Sequence, residues 1–346
     1  MSDKQVQKSG DGSVNIQTKS LQVGISYEDA KKIAQDVFES NFYRLTGKAK
    51  EIAKTRADEL LEKYLDRLGR QVPEAIKSAT DPDMQYALFT AQKEYARIGD
   101  KDLGDILVDI LVDRASQQQR SLMQIVLNES LNVVPKLTQS QIDALTVTFI
   151  LRYTQRLRLK DLAEFSSYVN NSILPFVDNL PKEPASYQHI EYCGCGIMQV
   201  TTLNLADAFR KTYSGLFDKG MTEQDVNSLV LTNSLVSKII VPSKDDSTKF
   251  CFIEVYDEQL REIFKKIGFT EIQINQAIEA RKQRLLRPEE VQKKIVSLIP
   301  KTENLFAIWK DSDLHRLTLT SVGIAIAHAN IRRKVNETYD LSIWIK

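Results

Sequence analysis

The sequence predicts a mainly α protein: a flexible N-terminus with a short β arm at 1–25, an all-helical domain at 26–180, a linker or packing loop at 181–202, and a smaller α+β domain at 203–346. Three observations predict it. Between residues 81 and 131 the cap, helix and breaker signals agree at every junction. From residue 30 to residue 68 apolar side chains keep close to a 3.6-residue period. Beyond residue 203 short β-prone runs alternate with helical ones.

In chain order, the first 13 residues are polar, with Gly10, Asp11 and Gly12 close together, as in a mobile terminus. Val14 and Ile16 then alternate with Asn15 and Gln17, and Leu21 and Val23 flank Gln22, which reads as two short strands around 18–20. An isolated hairpin is marginal in water. The strands therefore dock on the body or pair with copies from other subunits. The second is the expectation, with Val14, Ile16, Leu21 and Val23 as the oligomerisation residues.

Ser26 followed by Asp29 has the spacing of a capping box, with Asp in place of Glu. It opens the run Ala30, Ile33, Ala34, Val37, Phe38, which resumes at Ala49, Ile52 and Ala53 and continues to Leu68 before Gly69 and Pro73. Unbroken, that helix would exceed about 60 Å at 1.5 Å per residue. Thr46 and Gly47 offer the alternative of a two-helix hairpin.

Asp81 or Asp83 can cap the next helix, since a short carboxylate accepts from first-turn amides and Pro82 suits a start. Leu88, Ala91, Tyr95 and Ile98 follow at helical spacing until Gly99, and Asp100 or Asp102 can cap the helix after it. There Leu103, Ile106, Leu107, Ile110 and Leu111 form an apolar stripe, while Asp105, Asp109 and Asp113 recur on the other side. A third helix runs from Ser121, with Leu122, Ile125, Val126 and Leu131 inward, to Pro135. Thr138 and Gln141 form a capping box ahead of Ile142, Leu145, Phe149 and Ile150, and 159–177 reads as an amphipathic helix broken near Pro175. Pro181 and Pro184 mark the boundary.

Past it, helices are expected at 203–217 and 222–231, then a hairpin of 238–241 with 250–255 around the turn-forming Lys244, Asp245, Asp246 and Ser247. Helices return at 257–267, 270–286 and 288–298. Residues 315–319 read as a strand leading into a helix capped by Thr320 or Ser321, and 341–345 as a closing strand. Short strands interleaved with helices suggest a domain of winged-helix type.

Composition narrows the function classes. At 346 residues the chain can bury a full core without staples, and 47 Lys+Arg against 46 Asp+Glu give a net charge of +1. No global field advertises a nucleic acid or an anionic membrane. Three cysteines are too few for a disulfide framework and the first residues lack a signal-peptide core, so a cytoplasmic protein with reduced thiols is expected. The apolar run from Val322 is far shorter than the roughly 20 residues that span a bilayer.

Three sets of residues could carry chemistry. Asp105, Asp109 and Asp113 on one helix face could hold Mg²⁺ for hydrolysis, because hard cations take oxygen ligands, although charges so spaced usually form a solvated or paired face. His189, Cys193 and Cys195 could ligate zinc or supply a Cys nucleophile with a His base. The C-x-C spacing is unlike the usual zinc pair, however, and a glycine-kinked packing loop with inert thiols is the competing reading. Arg281, Lys282, Arg284 and Arg287, with Arg332, Arg333 and Lys334, could contact DNA phosphates. Glu289 and Glu290 beside the first group argue for a solvated face instead. No cofactor signature occurs, and none is expected.

The stretches YEDAKKIAQDVFESNFYRL, DPDMQYALFTAQKEYARIGDKDLGDILVDILVDR, RSLMQIVLNESL and LTLTSVGIAIAHANIRR, with the closing DLSIWI, resemble a family of uncharacterised bacterial proteins of about this length. SGDGSVNIQ ahead of ISYEDA is similar to a segment that precedes varied modules in bacterial anti-phage proteins. The C-terminal pattern resembles that of alpha-type abortive-infection proteins, whose L-T-x-x-G motif is matched by Leu319, Thr320 and Gly323. The resemblance transfers no catalytic residues. It implies an oligomer-forming, non-enzymatic sensor or adaptor in antiviral defence, meeting a protein partner or a phage-derived trigger. A nucleic-acid-binding regulator and a metal-dependent hydrolase are the alternatives.

Overall fold

Helices begin where the sequence supplies short polar acceptors. The computed structural model describes residues 25–41, 45–117, 119–232, 239–253, 255 and 257–346, so the β arm expected at Val14, Ile16, Leu21 and Val23 lies outside the described residues. Ser26 and Asp29 exchange hydrogen bonds, Asp29 N to Ser26 Oγ at 3.1 Å and Ser26 N to Asp29 Oδ2 at 3.2 Å, and open α1 (Tyr27–Asn41). Gly47, at φ 56°, begins α2 (Gly47–Gln71), which packs against α1. The hairpin alternative therefore holds, and there is no single long rod.

A 3₁₀ turn at Pro73–Thr80 leads to Asp81, whose carboxylate accepts from Met84 N at 2.8 Å to start α3 (Pro82–Ile98). Gly99, at φ 71°, stops α3 in the left-handed region that favours glycine, and Asp100 caps α4 (Lys101–Ala115). Ser121 caps α5 (Leu122–Val133), and the Thr138–Gln141 capping box opens α6 (Gln139–Tyr153). In α5 the buried face is Val126, Leu127, Ser130 and Leu131, whereas Leu122 and Ile125 are about half exposed. They were expected inward. They share the exposed face of the helix with Glu129 and Asn132, while Met123 of the same turn packs on the core.

Next come α7 (Leu162–Tyr168), a π turn and a 3₁₀ turn through Pro175, α8 (Pro184–Tyr192) and β1 (Gly196–Met198). The expected loop at 181–202 thus holds a helix and a strand. After α9 (Leu205–Thr212) come α10 (Glu223–Thr232), β2 (Ile240–Pro242), β3 (Phe250–Phe252), α11 (Asp257–Lys266) and α12 (Glu271–Arg284). The chain closes with α13 (Pro288–Leu298), α14 (Thr302–Asp311), β4 (Leu317–Leu319) and α15 (Ser321–Val335). The last segment is a 3₁₀ turn at Leu341–Ile343, not a strand, because the Asp340 carboxylate accepts from Ser342 N at 2.9 Å and tightens it.

The core crosses the boundary expected at 181–202. One buried cluster runs from Ala30 to Ile345, and within it α15 packs against α4, α5 and α6. Residues Gly323 to Ile331 are all buried. A helix that is apolar all round belongs inside a body, and VGIAIAHANI takes that place among helices far upstream. Antiparallel β1 and β4 join the two halves, with Gly196 opposite Leu319 and Met198 opposite Leu317.

The smaller α+β part is an insertion, narrower than the expected 203–346. Met221, Ile239, Phe252, Leu260, Phe264, Ile274 and Ile278 form a separate cluster, over which antiparallel β2 and β3 lie beside α11 and α12. Chain entry and exit are hydrogen-bonded to each other, Lys219 N to Arg284 O at 2.9 Å and Leu286 N to Phe217 O at 2.8 Å. On either side of this neck, α9, α13 and α14 contribute to the main core. Among the described residues no helix is long and apolar enough to cross a membrane.

Candidate functional site

The acidic stripe of α4 meets the C-terminal helix. Asp113 receives Arg332 Nη2 at 2.8 Å from both carboxylate oxygens. Asp109, 1% exposed, has Arg67 Nη1 of α2 at 2.7 Å and Arg332 Nη1 at 3.7 Å. Asp105, one turn earlier, pairs with Lys63 of the same α2 at 2.9 Å. One guanidinium thus serves two carboxylates. The fit around Asp109 is electrostatic more than directional: neither of its oxygens has an aligned hydrogen bond, and Arg332 Nε is likewise buried without one.

His328 completes the cluster. Its Nε2 accepts from Tyr339 N at 3.0 Å, so the neutral ring carries its proton on Nδ1, 3.7 Å from Asp113 Oδ2. Burial, with the nearby Arg332 charge, pushes His328 down to about 3. Burial also raises Asp109 to about 6 against the opposing pull of Arg67 and Arg332, and it raises Asp113 against Arg332. A cleft of about 300 Å³ opens beside Asp113, His328, Arg332, Tyr339 and Asp340.

Chemically this is a charge-compensated cluster. The positions a cation would take on Asp109 and Asp113 are held by guanidinium groups, and Asp105 is taken by the Lys63 ammonium. Among the described residues no group of three or more His, Cys, Asp or Glu could hold a metal ion. The paired-face reading, not the Mg²⁺ one, describes the geometry of Asp105, Asp109 and Asp113. A His pushed so far below neutral is also a poor general base near pH 7.

The basic residues are spent in the same way. Arg333 pairs with Asp102 at 2.6 Å, and Lys334 with Asp143 at 3.4 Å. Asn330 donates to Asp143 Oδ1 and Thr146 Oγ1, both at 2.9 Å, adding a neutral link between α15 and α6. Arg281, 6% exposed, donates to Asp257, Ser214 Oγ and Val255 O. Arg284 faces Asp225 at 3.7 Å and Arg287 faces Glu290 at 3.3 Å. Lys282 is half exposed, 3.8 Å from Asp257. Pairing inside the fold ties Arg281, Arg332 and Arg333 to acids of the same chain, in place of either a phosphate-binding cluster or a freely solvated face. The sequence could not show their acids, which lie far off in the chain.

The Cys–His loop divides. Cys193 Sγ lies 3.6 Å from His189 Nε2, and the His189 Nδ1 meets the Gln141 side-chain amide. Cys195 points away into the core. Burial raises both thiols, Cys195 to about 12, whereas a nucleophilic cysteine needs a depressed value. Neither a zinc set nor an activated thiol is assembled, and the packing-loop reading describes the geometry.

What the loop does is hold α15. Gly194 O accepts from Thr320 Oγ1 at 2.6 Å and Cys195 O from Thr320 N at 3.1 Å. Thr320 Oγ1 in turn accepts from Gly323 N at 3.2 Å, capping the helix. A Cβ on Gly323 would overlap the Cys195 carbonyl oxygen and lie 3.0 Å from its carbon. Leu319 N donates to Tyr153 Oη at 2.8 Å. Leu319, Thr320 and Gly323 are thus a structural clamp. Its traces in the sequence are the candidate cap at Thr320 and a glycine inside a helical run, a position that otherwise costs about 1 kcal/mol relative to Ala.

Fold and site together define a mainly helical protein whose ionisable side chains fasten its C-terminal helix into the body. The chain belongs to a family whose model, described only by a "-like" designation, matches residues 24–345. No curated protein and no solved structure matches it.

Proposed function

We propose that the chain is a non-enzymatic, oligomer-forming sensor or adaptor of bacterial antiviral defence of the abortive-infection type, working in the cytoplasm through protein contacts. The observation that carries the reading is the commitment of Asp105, Asp109, Asp113, Arg281, Arg332 and Arg333 to internal pairs, which leaves these candidates to structure. The defence context rests on the resemblance of the N-terminal segment and of Leu319, Thr320 and Gly323. Val14, Ile16, Leu21 and Val23 are the proposed subunit contacts, since strands with exposed edges are satisfied by symmetric pairing.

Phage plating on cells that carry the chain with its neighbouring genes tests both parts. Protection should require the intact chain, and removing residues 1–24 should abolish protection and lower the mass seen by light scattering without loss of helical circular dichroism. Full protection by the truncated chain, at unchanged mass, would overturn the proposal.

A nucleic-acid-binding regulator is the second reading. It is favoured by the backbone of the inserted unit, where Met221 bridges Phe250 and α10 lies between that bridge and the β2–β3 hairpin, as in a winged helix. The burial of Arg281 weighs against it.

A further inference from the structure

We infer that the groove between the N-terminal end of α2 and the C-terminal end of α3 receives an acidic amphipathic helix of a partner protein. The inference rests on the adaptor reading and gives it a surface. Leu45, Ala49, Ile52, Ala53, Lys93 and Ala96 line the groove, whose volume is about 510 Å³. Residues 47–52 of α2 are exposed throughout. Leu45 and Ile52 stand about 40% exposed over a floor of Ala53 and Ala96, backed by Phe38 and Ala57 of the same cluster. Small residues there let another backbone approach closely, and the flanking apolar side chains suit anchors at i, i+3, i+4 and i+7 of a docked helix.

Charge selects the occupant. Arg56, Lys93 and Arg97 border the groove against one carboxylate, Glu94, which already takes Arg97 at 2.6 Å and Lys93 at 3.4 Å. Three cations less one anion leave +2. The α2 terminus is also locally mismatched: Thr46 makes no side-chain cap, and the first turn carries Lys48 and Lys50 but no acid. Cations at a helix N-terminus oppose its dipole by a few tenths of a kcal/mol to about 1 kcal/mol, and an acidic partner relieves this. The next four helices in the chain, α3, α4, α5 and α6, are all capped by side chains, so within this part of the body the uncapped terminus coincides with the exposed apolar stripe. A second copy would bring the same positive face against itself, and a flat bilayer would not fill a concave floor.

The test uses the full chain and two labelled helical peptides that share Leu at i, i+3, i+4 and i+7, one with Glu and one with Lys at the remaining positions. Fluorescence anisotropy should show the Glu peptide binding at least about tenfold more tightly, a difference of about 1.4 kcal/mol. Ile52→Glu, at an exposed position, should weaken it by a similar factor with unchanged circular dichroism, and Lys93→Glu with Arg97→Glu should reverse the preference. Equal binding of the two peptides, or binding indifferent to Ile52→Glu, overturns the inference. A chain mass that falls on Ile52→Glu would assign the groove to a second copy instead. Sedimentation with phosphatidylglycerol vesicles that Ile52→Glu abolishes would assign it to a membrane. Any of these, with phage protection still dependent on residues 1–24, removes the groove's role while leaving the adaptor reading standing.

Discussion

Replacing Arg332 with Ala should lower the free energy of unfolding by about 3–5 kcal/mol near neutral pH, because removing one partner of a buried pair strands the other charge. Here it strands Asp113, leaving His328 as its remaining polar neighbour, and removes the more distant of the two cations beside Asp109, which keeps Arg67 at 2.7 Å. The loss should depend on pH. Asp109 sits at about 6 in the fold against 3.8 for a free side chain, so its contribution to stability declines as pH rises through that window. Without Arg332 its folded value climbs further. The deficit of the variant should therefore be smaller near pH 5, below the raised Asp109 value, than above about pH 7. Urea unfolding followed by circular dichroism at the two pH values measures it. A loss below about 1 kcal/mol at both, the range of an exposed ion pair, would place Arg332 outside the framework.

Gly323→Ala should cost about 2–3 kcal/mol although Ala is the better helix former, because the added methyl has to displace the Cys195 backbone carbonyl. That carbonyl also accepts from Thr320 N, so displacement loosens the cap of α15 and the β1–β4 pairing beside it. Gly69→Ala in α2 is the matched control. Nothing lies within 4 Å of its Cβ position, and the change should be neutral or stabilising by up to about 1 kcal/mol. Thermal melts of the two variants, moving in opposite directions, are the expected result. A gain in both would mean that the Cys195 turn yields at no cost and that the clamp is loose.

These two positions also mark how far the sequence could be read. The starts at Asp81, Asp100, Ser121, Thr138 and Thr320 were legible to within one or two neighbouring candidates because one short side chain and its first-turn amides decide each of them. The start of α14 was not, since Lys301 makes no side-chain cap, and α8 was hidden because Pro184 punctuates a linker as readily as it opens a helix. Arg332, Arg333 and Lys334 looked like a phosphate-binding run because their partners, Asp113, Asp102 and Asp143, belong to helices roughly two hundred residues upstream. No local pattern encodes such a pairing. The same separation hid the place of α15 in the body: its apolar run from Val322 to Ala327 announces burial but not the helices that bury it. For the site, the acidic spacing of α4 was visible, whereas its neutralisation by α2 and α15 was not.

The most direct measurement of that framework is a double-mutant cycle between Arg332→Met and Asp113→Asn, read by urea unfolding at pH near 7. The expected coupling is about 1–3 kcal/mol in favour of the pair, with the double variant less damaged than the sum of the single ones. Additivity within about 0.5 kcal/mol would contradict the assignment of these residues to holding the C-terminal helix in place.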